Sequence, residues 1–203
     1  MPRLGGACVS VSRYEQDCRY IMITIKKIDK SNVSYINTID NSFIVAQRVI
    51  PIIEKNWEIG IQLEKVDPPY NKIYRDDDID PSIYLNESSH SAYFAFMEGK
   101  LAGQILLQRY WNKLGSIEDI RVSQEYRRNG VGRRLISVAK EWILSQNING
   151  LRLETQDINT GACLFYQACG FKLKGIDINL YCAIPDCKDE IALSVIQTVE
   201  KKV

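Results

Sequence analysis

The apolar positions of this chain change period several times, and each change marks an element. From Ile23, "ITIKKI" alternates apolar and polar and predicts a strand. "SNVSYINTIDNSFIVAQRVI" (31–50) places apolar residues at helical spacing behind an Asp29/Ser31 cap signal and predicts a helix. "WEIGIQLEKV" (57–66) alternates again, as a half-buried strand does, and a loop follows at Pro68–Pro69. "SAYFAFMEGKLAGQILLQRYW" reads as a hairpin turning at Glu98, Gly99 and Lys100, and "SIEDIRV" (116–122) as a further strand. A glycine-containing turn leads into an amphipathic helix with Leu135, Ile136, Ala139 and Ile143 on one face. "LRLETQ" (151–156) is a strand, and "TGACLFYQACGF" a short helix ending at Gly170, where a left-handed cap fits. "KLKGIDINLYC" and "EIALSVI" supply closing strands.

Antiparallel strands, one strand–turn–helix–strand unit, a short helix and more strands make an α+β fold with a mixed sheet. A length of 203 residues suits one domain with a sizeable core. We assign it to residues 22–203, because 1–21 has neither an amphipathic period nor the apolar core of a signal peptide and reads as a non-structural extension. Apolar residues at 45% and charged residues at 25% are those of a globular protein, and no apolar run reaches the ~18 residues a bilayer requires. A net charge of +1 gives no general attraction to nucleic acid or membranes, so any electrostatic function is local. The cysteines at 8, 18, 163, 169, 182 and 187 form no C-x-x-C pair, which points to a reducing cytoplasm and away from a structural zinc site. The single histidine, His90, lies in the polar stretch "NESSHSA" and reads as a solvated loop residue. Trp111 faces either a cleft or the core, and the core is preferred.

The local charge is at Asp76, Asp77, Asp78 and Asp80. Counted from Asp76, carboxylates also fall at the first, third, fifth and twelfth places of a calcium loop, with Glu87 last, but Pro81 stands where that loop needs glycine. Solvated surface and a polycation-binding loop are the other two readings. The second candidate feature is "EYRRNGVGRRL" (125–135), where Gly130 and Gly132 permit a tight turn at a helix N-terminus among Arg127, Arg128, Arg133 and Arg134. Backbone N–H groups gathered at such a place favour anions, although an ordinary basic loop would have the same spacing. The lysine and hydroxyl residue of a P-loop are missing, as is the third glycine of a dinucleotide fingerprint.

Arg127, Gly130 and Gly132 match the R/Q-x-x-G-x-G/A pyrophosphate loop of the GNAT N-acetyltransferases, which this segment resembles. After the next strand, Asn159, Ala162, Tyr166, Gly170 and Phe171 match that family's N-x-x-A-x-x-x-Y-x-x-x-G-F pattern. The resemblance implies a GNAT fold, a mostly antiparallel sheet with strands splayed at an acetyl-CoA site. It places the cofactor against Ile120, Arg121, Val122, Arg127, Arg128, Asn129, Gly130, Val131, Gly132, Arg133, Asn159 and Tyr166. The backbone of 120–122 would bind the pantetheine arm, Asn159 would steady it, and Tyr166 would protonate the leaving thiolate; a packed helix aromatic is the plainer role for Tyr166.

"VDPPYNKIYRDDDID", "YWNKLGSIEDIRV", "LRLETQD" and "CGFKLKGIDINLY" further resemble the streptothricin N-acetyltransferases, over about residues 57 to 182. That resemblance implies acetylation of a primary amine on the β-lysine moiety of a polycationic antibiotic, giving resistance. Other polyamines, aminoglycosides, protein lysines or a non-catalytic acyl-CoA-binding role are the alternatives. Asp76, Asp77, Asp78, Asp80, Asp119 and Glu154 are the expected substrate-binding residues. An amine with a pKa of about 10.4 must lose a proton before it attacks a thioester. Glu118 is the first candidate base and Glu154 the second. Asp119 faces away from Glu118 in a regular strand, so both serve one site only if a bulge intervenes. No metal is called for, and a homodimer is the candidate assembly.

Overall fold

The computed structural model describes residues 22–76 and 79–199. The extension assigned to 1–21, with Cys8 and Cys18, and the carboxylates Asp77 and Asp78 lie outside the described residues. The elements are β1 (Ile23–Lys27), β2 (Phe43–Ile53), β3 (Ile59–Lys72), α1 (Ser82–Asn86), β4 (His90–Met97), β5 (Lys100–Arg109), β6 (Gly115–Val122), α2 (Val131–Ser145), β7 (Gly150–Gln156), α3 (Thr160–Ala168), β8 (Lys172–Asp177) and β9 (Ala192–Thr198).

Seven strands form one sheet in the order β1-β4-β5-β6-β7-β9-β8, and β2 pairs with β3 as a separate ribbon. Every pairing in the large sheet is antiparallel except β6 with β7, which run parallel because α2 crosses over between them. The β4–β5 hairpin turns at Glu98 and Gly99, both at positive φ (50° and 78°), as tight right-twisted hairpins require. α2 buries Leu135, Ile136, Ala139 and Ile143 against Ile105, Ile117, Leu151 and Leu153 of the sheet. Those four helix positions recur at three- and four-residue spacing, so one stripe meets the core.

The helix expected over 31–50 is not formed. Its first part is a single 3-10 turn at Val33–Tyr35, and its second part is β2. Phe43, Ile44, Val45, Val49, Ile50, Ile52 and Ile53 are aromatic or β-branched, and their pairing with β3 outweighs an apolar spacing that either structure accommodates. β3 also runs past the expected loop, carrying Pro68 and Pro69 through to Lys72. Among the described residues the ribbon has no further strand beside it, so β3 can carry prolines that donate no ladder bond. Trp111 is not in the core: it is 84% exposed in the turn between β5 and β6. His90 is not a loop residue either. It begins β4 with a side chain 10% exposed, its ring meeting Tyr84 edge to face at 5.6 Å.

The ribbon docks on the end of β7. Val49 N–H donates to the Asp157 carbonyl at 2.8 Å, and Arg48 pairs with the fully buried Asp157 carboxylate, which also accepts from Ile191 N–H at 2.9 Å. Lys72 reaches Glu190 at 2.5 Å, and Thr160 Oγ1 of α3 donates to the Gln47 carbonyl at 2.8 Å.

Candidate active site

β6 and β7 pair only through Gly115 with Leu151 and Ser116 with Arg152. Beyond Ser116 and Arg152 the strands diverge, and the edge of β6 from Ile117 to Val122 has no β7 partner. The backbone groups of 120–122 that face away from β5 thus have no β7 partner along one arm of a fork, although the Val122 carbonyl accepts from Arg127.

At the open end of that arm the chain turns into α2. Arg128 (φ 68°) and Gly130 (φ 85°) take left-handed conformations on either side of Asn129, and Asn129 Nδ2 donates to the Arg127 carbonyl at 3.3 Å. The N–H groups from Arg128 to Arg133 donate to no acceptor among the described residues, and no side chain caps the helix. Consecutive unsatisfied N–H groups at the positive end of a helix dipole form an anion cradle. Gly132 has a second, packing reason to be glycine: a Cβ there would come within 2.9 Å of the Phe165 ring on α3. Val131 is 1% exposed and meets the core, so only its backbone is available to a ligand.

Two of the basic side chains around the turn, Arg127 and Arg133, donate to backbone carbonyls. Arg127 donates from Nε to the Val122 carbonyl at 3.1 Å and from Nη2 to the Ser42 carbonyl at 3.3 Å. Arg133 donates to the Ala168 carbonyl at 3.1 Å, capping the C-terminus of α3. Arg121, 10% exposed, ion-pairs with Asp76 at 2.5 Å and Asp119 at 2.8 Å, and donates to the Ile39 carbonyl at 3.3 Å. Its guanidinium therefore ties the start of the acidic run to β6.

A bulge in β6 decides which carboxylates share the fork. Leu106 pairs with Asp119 but Leu107 pairs with Ile117, leaving Glu118 as the extra residue. Ile117, Ile120 and Val122 all belong to the core on the α2 side, so the alternation slips one step between 117 and 120. Glu118 and Asp119 consequently lie together away from α2. Glu118 Oε2 accepts from the Tyr84 hydroxyl at 2.7 Å. Asp119 accepts from Arg121 and, through Oδ2, from Gln104 Nε2 at 2.5 Å; Gln104 is fully buried and also holds Asn37. On the other arm Glu154 accepts from the Tyr181 hydroxyl at 2.8 Å, and Arg152 donates to Ser116 at 3.5 Å. Asp80 lies apart from these contacts: it accepts from the N–H and hydroxyl of Ser82 at the start of α1, and those bonds hold its carboxyl below the usual range.

Tyr166 is 7% exposed on α3, packed against Phe165 and Phe171. Burial pushes its phenol well above the ordinary range, and the Asp119 charge adds to the shift. It stays protonated at every physiological pH. Asn159 caps α3, accepting from Ala162 N–H at 3.2 Å. Burial pushes the Cys163 thiol up to about 12, so it is no nucleophile near neutrality. A cavity of about 350 Å³ between β3, α3 and β8, lined by Ile61, Cys163, Phe171 and Lys172, contains none of the fork carboxylates.

Sequence reasoning missed Tyr84, Gln104, Asn37 and Tyr181. Only Gln104 gives a signal, as a polar residue inside the apolar run "LAGQILL". Nothing in "SIYLN" marks Tyr84 as the partner of a carboxylate, and Tyr181 enters only as the last residue of the "CGFKLKGIDINLY" segment of the resemblance.

Residues 55–171 match the model of the acetyltransferase (GNAT) family. Streptothricin acetyltransferase A of Bacillus subtilis (strain 168) is 38% identical over 169 residues, covering 83% of this chain and 96% of that protein. Streptothricin acetyltransferase of Escherichia coli is 42% identical over 155 residues, covering 76% and 84%. A crystal structure described as that of a streptothricin acetyltransferase from Bacillus anthracis (strain Ames), in complex with acetyl coenzyme A, superposes with a TM-score of 0.81 at 35% identity, covering 87% of this chain and 99% of that one. The open edge of β6, the unsatisfied N–H groups entering α2 and the tyrosine on α3 suit an acyl-CoA thioester with its pyrophosphate. With a matching family model over more than half its length, the chain belongs to the acetyltransferase (GNAT) family.

Proposed function

We propose that the chain transfers an acetyl group from acetyl-CoA to a primary amine of the β-lysine moiety of streptothricin, and so confers resistance to that antibiotic. The carrying observation is the bulge that puts Glu118 and Asp119 side by side on the unpaired arm of the fork. An alkylammonium must be both attracted and deprotonated there. Two adjacent carboxylates, one of them already paired with Arg121, suit those two tasks. The named activity of the relatives at 38% and 42% identity supports streptothricin as the acceptor.

In this reading Glu118 takes the proton from the attacking amine. Asp119 and Glu154 hold charge on the two arms, and the backbone N–H groups of β6 face the oxyanion that forms on the acetyl carbonyl. The N–H groups from Arg128 to Arg133 bind the pyrophosphate, with Asn159 beside the arm. Tyr166 donates a hydrogen bond to the leaving sulfur. A thiol titrates near 8.5 and the buried phenol far above it, so the phenol stabilises the thiolate by that bond and need not give up its proton. The run from Asp76 to Asp80 adds attraction for further ammonium groups. Its carboxylates are not equivalent, since Asp76 is anchored by Arg121 and Asp80 by Ser82.

The test is steady-state acetyl transfer by purified protein against streptothricin, spermidine, kanamycin and a lysine peptide. Streptothricin should have a kcat/KM at least a hundredfold above the others, on the order of 2.8 kcal/mol of discrimination. Equal values across the panel would defeat the assignment while leaving the acetyltransferase intact.

A further inference from the structure

We propose that Tyr84 is a positioning residue for Glu118, holding one oxygen of its carboxylate so that the other meets the acceptor amine. The proposal rests on the reading of Glu118 as the base. Tyr84 is 3% exposed and packs with Ile28, Ala92, Phe94, Phe96 and Leu106. Its hydroxyl donates to Glu118 Oε2 at 2.7 Å. The ring has little freedom to swing away. His90 meets it edge to face at 90°, and His90 is itself held by the Ser89 hydroxyl at 3.0 Å and Glu87 at 3.2 Å.

Glu118 has the opposite character. It is the exposed extra residue of a bulge, with no β5 partner of its own and no other side-chain hydrogen bond among the described residues. Left alone, such a side chain samples several rotamers, and a base must lie within about 3 Å of the proton it removes. A rigid phenol bonded to Oε2 fixes the carboxylate plane and leaves Oε1 without a donor among the described residues. With its ring buried, Tyr84 thus acts through Glu118. α1 packs Ile83 and Leu85 on the same apolar cluster as Tyr84, so the helix that carries this hydroxyl is anchored on β4 and β5.

A double-mutant cycle with Tyr84→Phe and Glu118→Gln, read as kcat and KM for streptothricin with melting temperature as the folding control, tests this. Tyr84→Phe alone should lower kcat about tenfold and move KM less than twofold, because orientation matters along the reaction path and not in binding. In the Glu118→Gln background the same change should alter kcat less than twofold, since the base it positions is gone. A Tyr84→Phe enzyme with wild-type kcat, or a tenfold loss repeated in full on Glu118→Gln, overturns the proposal. Wild-type kcat in Glu118→Gln overturns it too and traces the failure to the base assignment. A protein with no transfer activity at all would instead refute the functional reading beneath it.

Discussion

Replacing Arg121 with Met keeps the length of the stem and removes the guanidinium, which is engaged in protein contacts. It holds Asp119 at 2.8 Å, Asp76 at 2.5 Å and the Ile39 carbonyl at 3.3 Å, with its own side chain 10% exposed. A hydrogen-bonded charge contact of this kind is worth about 1.5–3 kcal/mol, so the Asp119 contact contributes about 2 kcal/mol. Asp76 is 42% exposed, and solvent screening reduces its share to at most about 1 kcal/mol. The sum is about 3 kcal/mol, or roughly 6–12 °C of melting temperature at ~2–4 °C per kcal/mol for a chain this size. Urea and thermal unfolding measure the loss, and calorimetric titration of acetyl-CoA measures the cofactor site. The affinity for acetyl-CoA should change less than twofold. A variant of wild-type stability whose acetyl-CoA affinity falls tenfold would refute the reasoning and give the guanidinium a part in holding the cofactor.

Gly130→Asp should weaken acetyl-CoA at least tenfold, about 1.4 kcal/mol, since it strains a residue at φ 85° and brings a carboxylate to the anion cradle; unchanged calorimetric affinity in a folded variant would remove the turn from the site. Tyr166→Phe should lower kcat about a hundredfold with little change in the KM for acetyl-CoA, because only the leaving sulfur needs the hydroxyl; a kcat within twofold of wild type would reduce Tyr166 to packing.

Much of this fold is legible in the sequence because its strands and helices agree with their own periods. The β4–β5 hairpin, α2 and α3 follow from alternation, stripe and glycine punctuation, and the two glycine-bearing motifs fall on the turn and helix that need them. Residues 31–50 mislead because apolar spacing in a short β-branched segment fits either period, and only the pairing of β2 with β3 decides. The bulge at Glu118 is invisible for a related reason. It is a mismatch of register between two strands, and neither strand's own sequence records it. Arg127 and Arg133 look like mobile charge for a phosphate by position, yet each donates to a backbone carbonyl once the ribbon and α3 are folded around them. Charge counts along a chain do not distinguish a free guanidinium from a paired one.

The central claim is that a carboxylate on the bulged arm of the fork deprotonates a β-lysine amine for acetylation. Mass spectrometry with fragmentation of the product formed from streptothricin and acetyl-CoA tests it most directly, run in parallel for the wild type and Glu118→Gln. The account predicts a single acetyl group on the β-lysine moiety for the wild type, and the same product formed about a hundredfold more slowly by the variant. An acetyl group elsewhere on the antibiotic, or equal rates for the two proteins, would contradict it.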